Sequence, residues 1–346
     1  MNILFIGDLR TQARSYQRYI ILKQLGHKMV GVNRNQEYDD KALNNLSRLT
    51  NKFGYPLDLN KLNKRVLNIT SEYNDFNIIW LDKPLVLFAK TIKILRQKFK
   101  DAKIVYNTED DMMQKHNQSK YFLNSIPCFD YFFTTKSYNL DMQELPSLGV
   151  KNIYFNNNTF SSDFHRPLKL SDQDKKEFGC SVGFIGSFET QRAKSIMFLA
   201  DNNIKVRIFG NGWNNFKSHK NIELMNKPIY GKDLIKSICA TKINLNFLRK
   251  ANRDLQTNRS VEIPACEAFM LAERSNEHLN LFKEGKEAEF FSSNEELLEK
   301  IQYYLKNEDK IISISKLARE RCLISGYDMK STLNRMINII KEDNES

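Results

Sequence analysis

The chain is poor in cysteine, has no C-x-x-C pair and carries no long apolar run. Cys128, Cys180, Cys239, Cys266 and Cys322 are scattered and odd in number, so neither a disulfide framework nor a zinc site is signalled. Reduced, mostly buried thiols are expected. No apolar stretch approaches the roughly 18 residues of a membrane span. The run NILFI at 2–6 is too short for a signal-peptide core and meets Gly7-Asp8 at once. A soluble, cytoplasmic protein is expected. The loop after that run is not G-x-G-x-x-G, since the next glycine is Gly26, which disfavours nicotinamide-dinucleotide binding. No His/Cys/Asp cluster has metal-ligand spacing. Asp172-Gln173-Asp174 is formally D-x-D, but it sits in a polar stretch beside Lys175-Lys176 and does not follow a strand, so no metal is expected there. A pyridoxal-phosphate lysine motif and a repeat of solenoid period are also missing.

What is present is charge, length and alternation. At 346 residues, 41% hydrophobic and 27% charged, the chain is globular and long enough for two domains. The net charge of +12 admits three readings: nucleic-acid binding, attraction to an anionic nucleotide sugar or membrane surface, or dispersed lysine. Recognition-helix, zinc-finger and RNA-binding aromatic patterns are missing. Dispersed charge and anionic ligands are therefore the expectation, with no nucleic-acid partner.

The first half alternates apolar runs with helical periods. Strands are expected at 2–6, 28–32, 77–81, 103–107, 131–135 and 152–155, with helices at 14–25 and from Pro84 to about Lys100. The second half starts again, with strands at 180–186, 205–210, 243–248 and 269–271. Helices are expected through Ala200, at 295–305, at 310–323 and from Met329. Strands separated by helices imply a parallel sheet covered on both faces. The polar, turn-rich stretch 156–179 reads as an interdomain connection, with the boundary near 170. This gives 1–170, 171–328 and a last helix, 329–346.

Residues 257–291, TNRSVEIPACEAFMLAERSNEHLNLFKEGKEAEFF, are the most informative stretch. Arg259 and Glu262 lie three apart and share a helix face. Free backbone N–H groups at the start of that helix would suit a phosphate, and the glutamate could take the two hydroxyls of a ribose. The pattern R-x-x-E-I-P-A-C, a strand ending A-E-R, then E-H and E-G-K-E, resembles the C-terminal signature of the CgeB-type glycosyltransferases, a branch of the GT-B superfamily. YNTEDDMM and HNQS (106–119), FDYFFTTKSYN (129–139), Leu148-Gly149, HRP (165–167), VGFIGSFETQRA (182–193) and LRKANRDLQTNRS (248–260) extend the resemblance over most of 77–326. The family pattern usually has glycine at Glu267.

The resemblance implies an α/β fold of GT-B type: two Rossmann-like doubly wound domains facing a central cleft. It implies a transferase that moves a sugar from a UDP- or GDP-sugar to a hydroxyl of a saccharide, lipid-linked or protein acceptor. No cofactor or metal is implied; helix dipoles and cations would neutralise the leaving diphosphate. Bacterial surface-polysaccharide assembly is the implied role, with peripheral contact at the inner face of the membrane. In this reading Glu262 binds the ribose and Arg259 lies near the phosphates, beside Thr257 and Ser260. Gly186, Ser187 and Arg192 form a second phosphate loop, and Arg249, Lys250 or Arg253 supplies a further cation. On the acceptor side Asp8, Asp82, Asp110 and His116 are the candidates for orienting groups or a general base. Two alternatives stay open: an inactive nucleotide-sugar-binding protein, and a basic nucleic-acid-binding protein.

Overall fold

The computed structural model describes residues 1–35, 46, 49–217 and 219–342. The chain divides into two compact units: Met1–Asn157 together with Lys330–Ser346, and Asn158–Met329. The four residues 343–346 of the expected last segment lie outside the described residues.

In the first unit the strands are β1 (Asn2–Gly7), β2 (Lys28–Asn33), β3 (Ile78–Asp82), β4 (Lys103–Thr108), β5 (Tyr131–Thr134) and β6 (Ile153–Phe155). They form one sheet in the order β2-β1-β3-β4-β5-β6, and every neighbouring pair is parallel. Both faces are covered, so the strands read as unbroken apolar runs rather than as alternation. On one face the rings of Phe5, Trp80 and Phe133 stack across the sheet, at 6.2 and 6.4 Å. On the other, Tyr106 and Phe132 stack at 5.1 Å over Phe122 and Phe129.

The helix expected to start at Pro84 starts at Ala89 instead. Lys83 holds a left-handed backbone, and Leu87 N–H closes a turn on Pro84 C=O at 3.0 Å. The Asn63 side chain then accepts from Phe88 N–H at 2.9 Å, at the point where the helix begins.

In the second unit the strands are β7 (Cys180–Ile185), β8 (Val206–Phe209), β9 (Ile222–Leu224), β10 (Thr241–Asn246), β11 (Met270–Glu273) and β12 (Glu289–Phe291). Their order is β12-β11-β10-β7-β8-β9, again all parallel. This is the doubly wound arrangement in which the chain leaves β7 toward one edge and returns at β10 toward the other. One face packs Val261, Ile263, Phe282 and Phe290; the other packs Ile196, Trp213, Phe269 and Leu297.

The chain joins this second unit well before position 170. Phe160 pairs with the 327–329 segment, donating its N–H to Tyr327 C=O at 3.3 Å and accepting from Met329 N–H at 2.8 Å. The polar connection also holds a helix, Asp172–Phe178, that hydrophobic periodicity cannot reveal, because Phe178 is its one buried residue. Ser171 and Asp174 close a capping box at its start, and Asp174 pairs with Lys236 at 2.7 Å. That is the structural work of the D-x-D residues.

Candidate functional site

The order of the second sheet reverses between β7 and β10. Ligands in open parallel sheets bind beyond the carboxyl ends of the strands at such a reversal. The loops after these two strands are 186–189 and 247–254, and Arg192 ties them together. It lies in the first turn of the helix Thr190–Asp201 and is 7% exposed. Its guanidinium donates to Ser187 C=O at 3.1 Å and to Phe247 C=O at 3.3 Å, over the ring of Phe184. Its Nε is buried and has no partner. Among the described residues no carboxylate lies within ion-pair distance of it. Burial pushes its proton affinity below the ordinary arginine value; Glu189 nearby opposes this, while Arg249 adds to it.

The neighbouring charges are more fully answered. Glu189 accepts from Arg249 Nε at 3.1 Å and from Lys250 N–H at 3.3 Å, and Glu273 holds the Lys250 ammonium. Arg253 ends a short 3-10 turn with a left-handed backbone. Phe188, Glu189, Thr190, Gln191, Lys250 and Ala251 line an open depression of about 720 Å³. The expected role of Gly186 needs correction. Its N–H is bonded to Phe209 C=O and its own carbonyl accepts from Trp213 Nε1, both at 2.9 Å, so its amide cannot also cradle a phosphate. Ser187 is exposed and contributes its carbonyl to Arg192.

The start of the helix Arg259–Ala265 also differs from expectation. The N–H groups of Thr257, Ser260, Val261 and Glu262 are all bonded within the turn 257–262. A tight turn enters this helix and ties up these four donors within itself. The Thr257 hydroxyl donates to Asn246 Oδ1 at 3.0 Å, and Ser260 is fully buried, so both side chains face inward. Glu262, 4% exposed, pairs with Arg259 and lies 3.4 Å from Nε2 of His165. Arg259 keeps a buried Nε without a partner. Sequence reasoning placed His165 in the interdomain connection 156–179; the fold brings it to Glu262.

The later parts of the signature hold this segment from behind. Glu277 accepts from Gln256 at 2.8 Å, and Gln256 in turn accepts from Asn158 N–H at 2.9 Å. Ser275 bonds the Leu255 carbonyl, and His278 Nε2 lies 2.7 Å from Ser260 Oγ. Arg274 and Glu284, the arginine of A-E-R and the first glutamate of E-G-K-E, form a two-pronged pair at 2.7 and 2.8 Å. Gln256, Glu277 and His278 were not singled out from sequence as site residues; the E-H pair was the available signal.

Glu267 occupies a backbone position of the kind that glycine favours. It stands just past the helix end with φ 57°. Its N–H bonds Pro264 C=O at 2.9 Å, and Ala268 N–H bonds Ile263 C=O at 3.3 Å. This is the Schellman arrangement, whose left-handed position is usually glycine.

In the first unit the four acceptor-side candidates are not a group of free bases. Asp82 accepts from Arg18 on both oxygens, and also from Trp80 at 3.3 Å and Asn107 at 3.1 Å. Asp8 is gripped by Arg10 at 3.0 and 2.7 Å. Burial opposes the Asp8 charge, but the Arg10 bonds prevail and its carboxyl sits below the usual range. Asp110 is paired with Lys83. His116 lies exposed in the turn Lys115–Asn117. Arg14 and Arg18, one helical turn apart, meet on Glu109 at 2.9 and 2.6 Å. In Asp8 and Glu109 the cation stabilises the charged form, which makes each a weak proton acceptor.

Residues 192–338 match the family described as glycosyl transferase-like. No protein of curated function matches the chain in sequence. Among solved structures the fold is similar to sucrose-phosphate synthase from Thermosynechococcus elongatus, with a TM-score of 0.70 at 10% identity, covering 99% of this chain and 100% of the other. It is similar to HepE of Anabaena in complex with UDP, with a TM-score of 0.64 at 13% identity and coverage of 99% and 100%. A glycosyltransferase from Rickettsia africae gives 0.62 at 14% identity and coverage of 99% and 98%. At such identities the likeness establishes the fold, two parallel-sheet Rossmann-like domains of GT-B type. Among the described residues no helix is long and apolar enough to cross a membrane.

Proposed function

We propose that the chain is a glycosyltransferase whose second unit holds a nucleoside-diphosphate sugar, UDP- or GDP-linked, and whose first unit receives a hydroxyl-bearing acceptor. Arg192 is the observation that carries this reading. A buried guanidinium met only by carbonyl oxygens lacks the counter-charge that normally offsets its desolvation. A diphosphate at the end of β7 and β10 supplies it. The same cation then meets the charge that develops on the leaving group as the sugar departs. Arg259 offers a second guanidinium with an unused Nε, and Glu262 beside it is the group we assign to the ribose. The HepE structure was obtained with UDP. The acceptor is a saccharide, lipid-linked or protein hydroxyl, and bacterial surface-polysaccharide synthesis in the cytoplasm, at the inner face of the membrane, is the role we assign.

The test is UDP and GDP binding by calorimetry in EDTA, which also addresses independence from metal. Absence of binding to either nucleotide at millimolar concentration would overturn the reading. Glu262→Ala is expected to weaken UDP but not inorganic pyrophosphate, which has no ribose; equal losses for both remove the ribose assignment.

The pairing of Asp8, Asp82 and Asp110 with cations favours a second reading, a nucleotide-sugar-binding protein without transfer activity. Donor binding with neither transfer to an acceptor panel nor donor hydrolysis is its expected signature.

A further inference from the structure

Four side chains in and behind the 255–262 segment, His278, Ser260, Asn246 and Thr257, form a chain of hydrogen bonds whose direction is fixed at every link. His278 is fully buried, with its ring stacked parallel to Phe290. Its Nδ1 lies 2.7 Å from the Glu273 carbonyl oxygen, which can only accept, so Nδ1 carries the proton. Burial pushes this imidazole down to about 4, so the ring is neutral near pH 7 and Nε2 is a lone pair. Ser260 Oγ, 2.7 Å away, already accepts from Thr257 N–H at 2.8 Å and from Asn246 Nδ2 at 3.1 Å, and both of these can only donate. Its own proton must therefore go to Nε2. The Thr257 hydroxyl closes the ring by donating to Asn246 Oδ1.

We infer that His278 is a positioning residue for the donor: as a hydrogen-bond acceptor at Nε2 it orients the Ser260 hydroxyl, and through it the turn that presents Arg259 and Glu262. The ligand it serves is the nucleoside diphosphate, so the inference rests on the reading given above. The physical basis is that buried polar chains are stiff when complete and costly when one link is missing. Replacing the acceptor leaves the Ser260 proton without a partner, and the turn must rearrange to find one.

The test compares wild type, His278→Phe, His278→Gln and Ser260→Ala for UDP affinity and melting temperature, together with nitrogen NMR of the wild-type imidazole. Phenylalanine keeps the stack on Phe290 but has no acceptor; glutamine restores one. The expected result is UDP binding roughly tenfold weaker in His278→Phe, the equivalent of about one hydrogen bond. Most of that loss should return in His278→Gln. Ser260→Ala combined with His278→Phe should be no weaker than the worse single variant, since both break the same link. The NMR spectrum should show the Nδ1–H tautomer. A lower melting temperature with unchanged UDP affinity in His278→Phe, or an Nε2–H tautomer in the wild type, would overturn the inference. Failure of wild type itself to bind UDP or GDP instead refutes the donor reading, so the two failures are distinct.

Discussion

Arg18 closes on Asp82 with two hydrogen bonds, 2.8 Å from Nε to Oδ2 and 2.9 Å from its terminal nitrogen to Oδ1, although the residues are 64 positions apart. The arginine comes from the helix Arg14–Gln24 and the aspartate from the end of β3, beside Gly7. A Cβ on Gly7 would come within 2.9 Å of the Asp82 Cβ, so the absence of a side chain there lets β1 and β3 run close. Both partners are nearly inaccessible, at 10% and 6% side-chain exposure.

Asp82→Asn should therefore act on stability before it acts on chemistry. It leaves Arg18 buried with Glu109 as its one remaining carboxylate among the described residues. A loss of about 3 kcal/mol is expected from breaking one side of a buried pair. Urea unfolding monitored by circular dichroism measures it. A variant as stable as wild type would show that Asp82 is not a structural anchor and restore it as a candidate base.

Arg192→Met should separate stability from function in the opposite sense. It removes a buried charge that no carboxylate among the described residues answers and keeps most of the apolar contact with Phe184. The melting temperature is expected to hold or rise, by up to about 1 kcal/mol of stability, while UDP affinity falls about tenfold or more, as for a lost charge-assisted hydrogen bond. Loss of stability without loss of affinity would mean that Arg192 serves only to join the two loops.

Acid sensitivity should trace in part to Glu109. Burial opposes its charge, yet Arg14 and Arg18 outweigh burial and hold its carboxyl well below the usual range. A lowered folded-state value means that the stabilisation is fully present above the unfolded value of about 4.3, and is lost as pH falls from there toward the folded value. Between pH 5 and pH 3 the stability of wild type should drop more steeply than that of Glu109→Gln. Urea midpoints across that range provide the comparison; parallel curves would contradict the assignment.

Glu267→Gly should stabilise. A non-glycine residue in the left-handed region costs roughly 1–2 kcal/mol, and the exposed contact with Arg319, at 3.8 Å, offsets little of it. Allowing for the greater chain entropy of glycine when unfolded, a net gain of about 0.5–1 kcal/mol is expected. Glu267→Ala, still confined to φ 57°, should show none of it. Equal effects for both variants would mean that the backbone angle is not the cause.

Much of the fold was legible in the sequence. Runs such as NILFI, IIWL and KIVYN have no solvent face, so they announce buried parallel strands directly. The elements missed include two helices with an apolar face, Leu62–Ser71 and Gly231–Ala240, and others whose stability is not encoded in local periodicity. The helix Asp172–Phe178 depends on its capping box, and β9 and β12, three residues each, exist only by pairing with β8 and β11. The site was legible as a set of charges near strand ends. Whether those charges were free was not. Asp82 and Asp8 looked like bases until Arg18 and Arg10 were seen on them, and Ser260 looked like a phosphate ligand until His278 was.

The sequence by itself determined the order of strands and helices, the residue types at each strand end and the resemblance to a transferase family, because these follow from local patterns of polarity and spacing. Tertiary structure alone decided which cations are neutralised and which are not. Arg18 finds carboxylates 64 and 91 positions away, whereas Arg192 meets carbonyls at Ser187 and Phe247 and, among the described residues, no acid. That distinction arises through space, where burial and distance set the strength of a charge interaction, and separation along the chain has no influence on it.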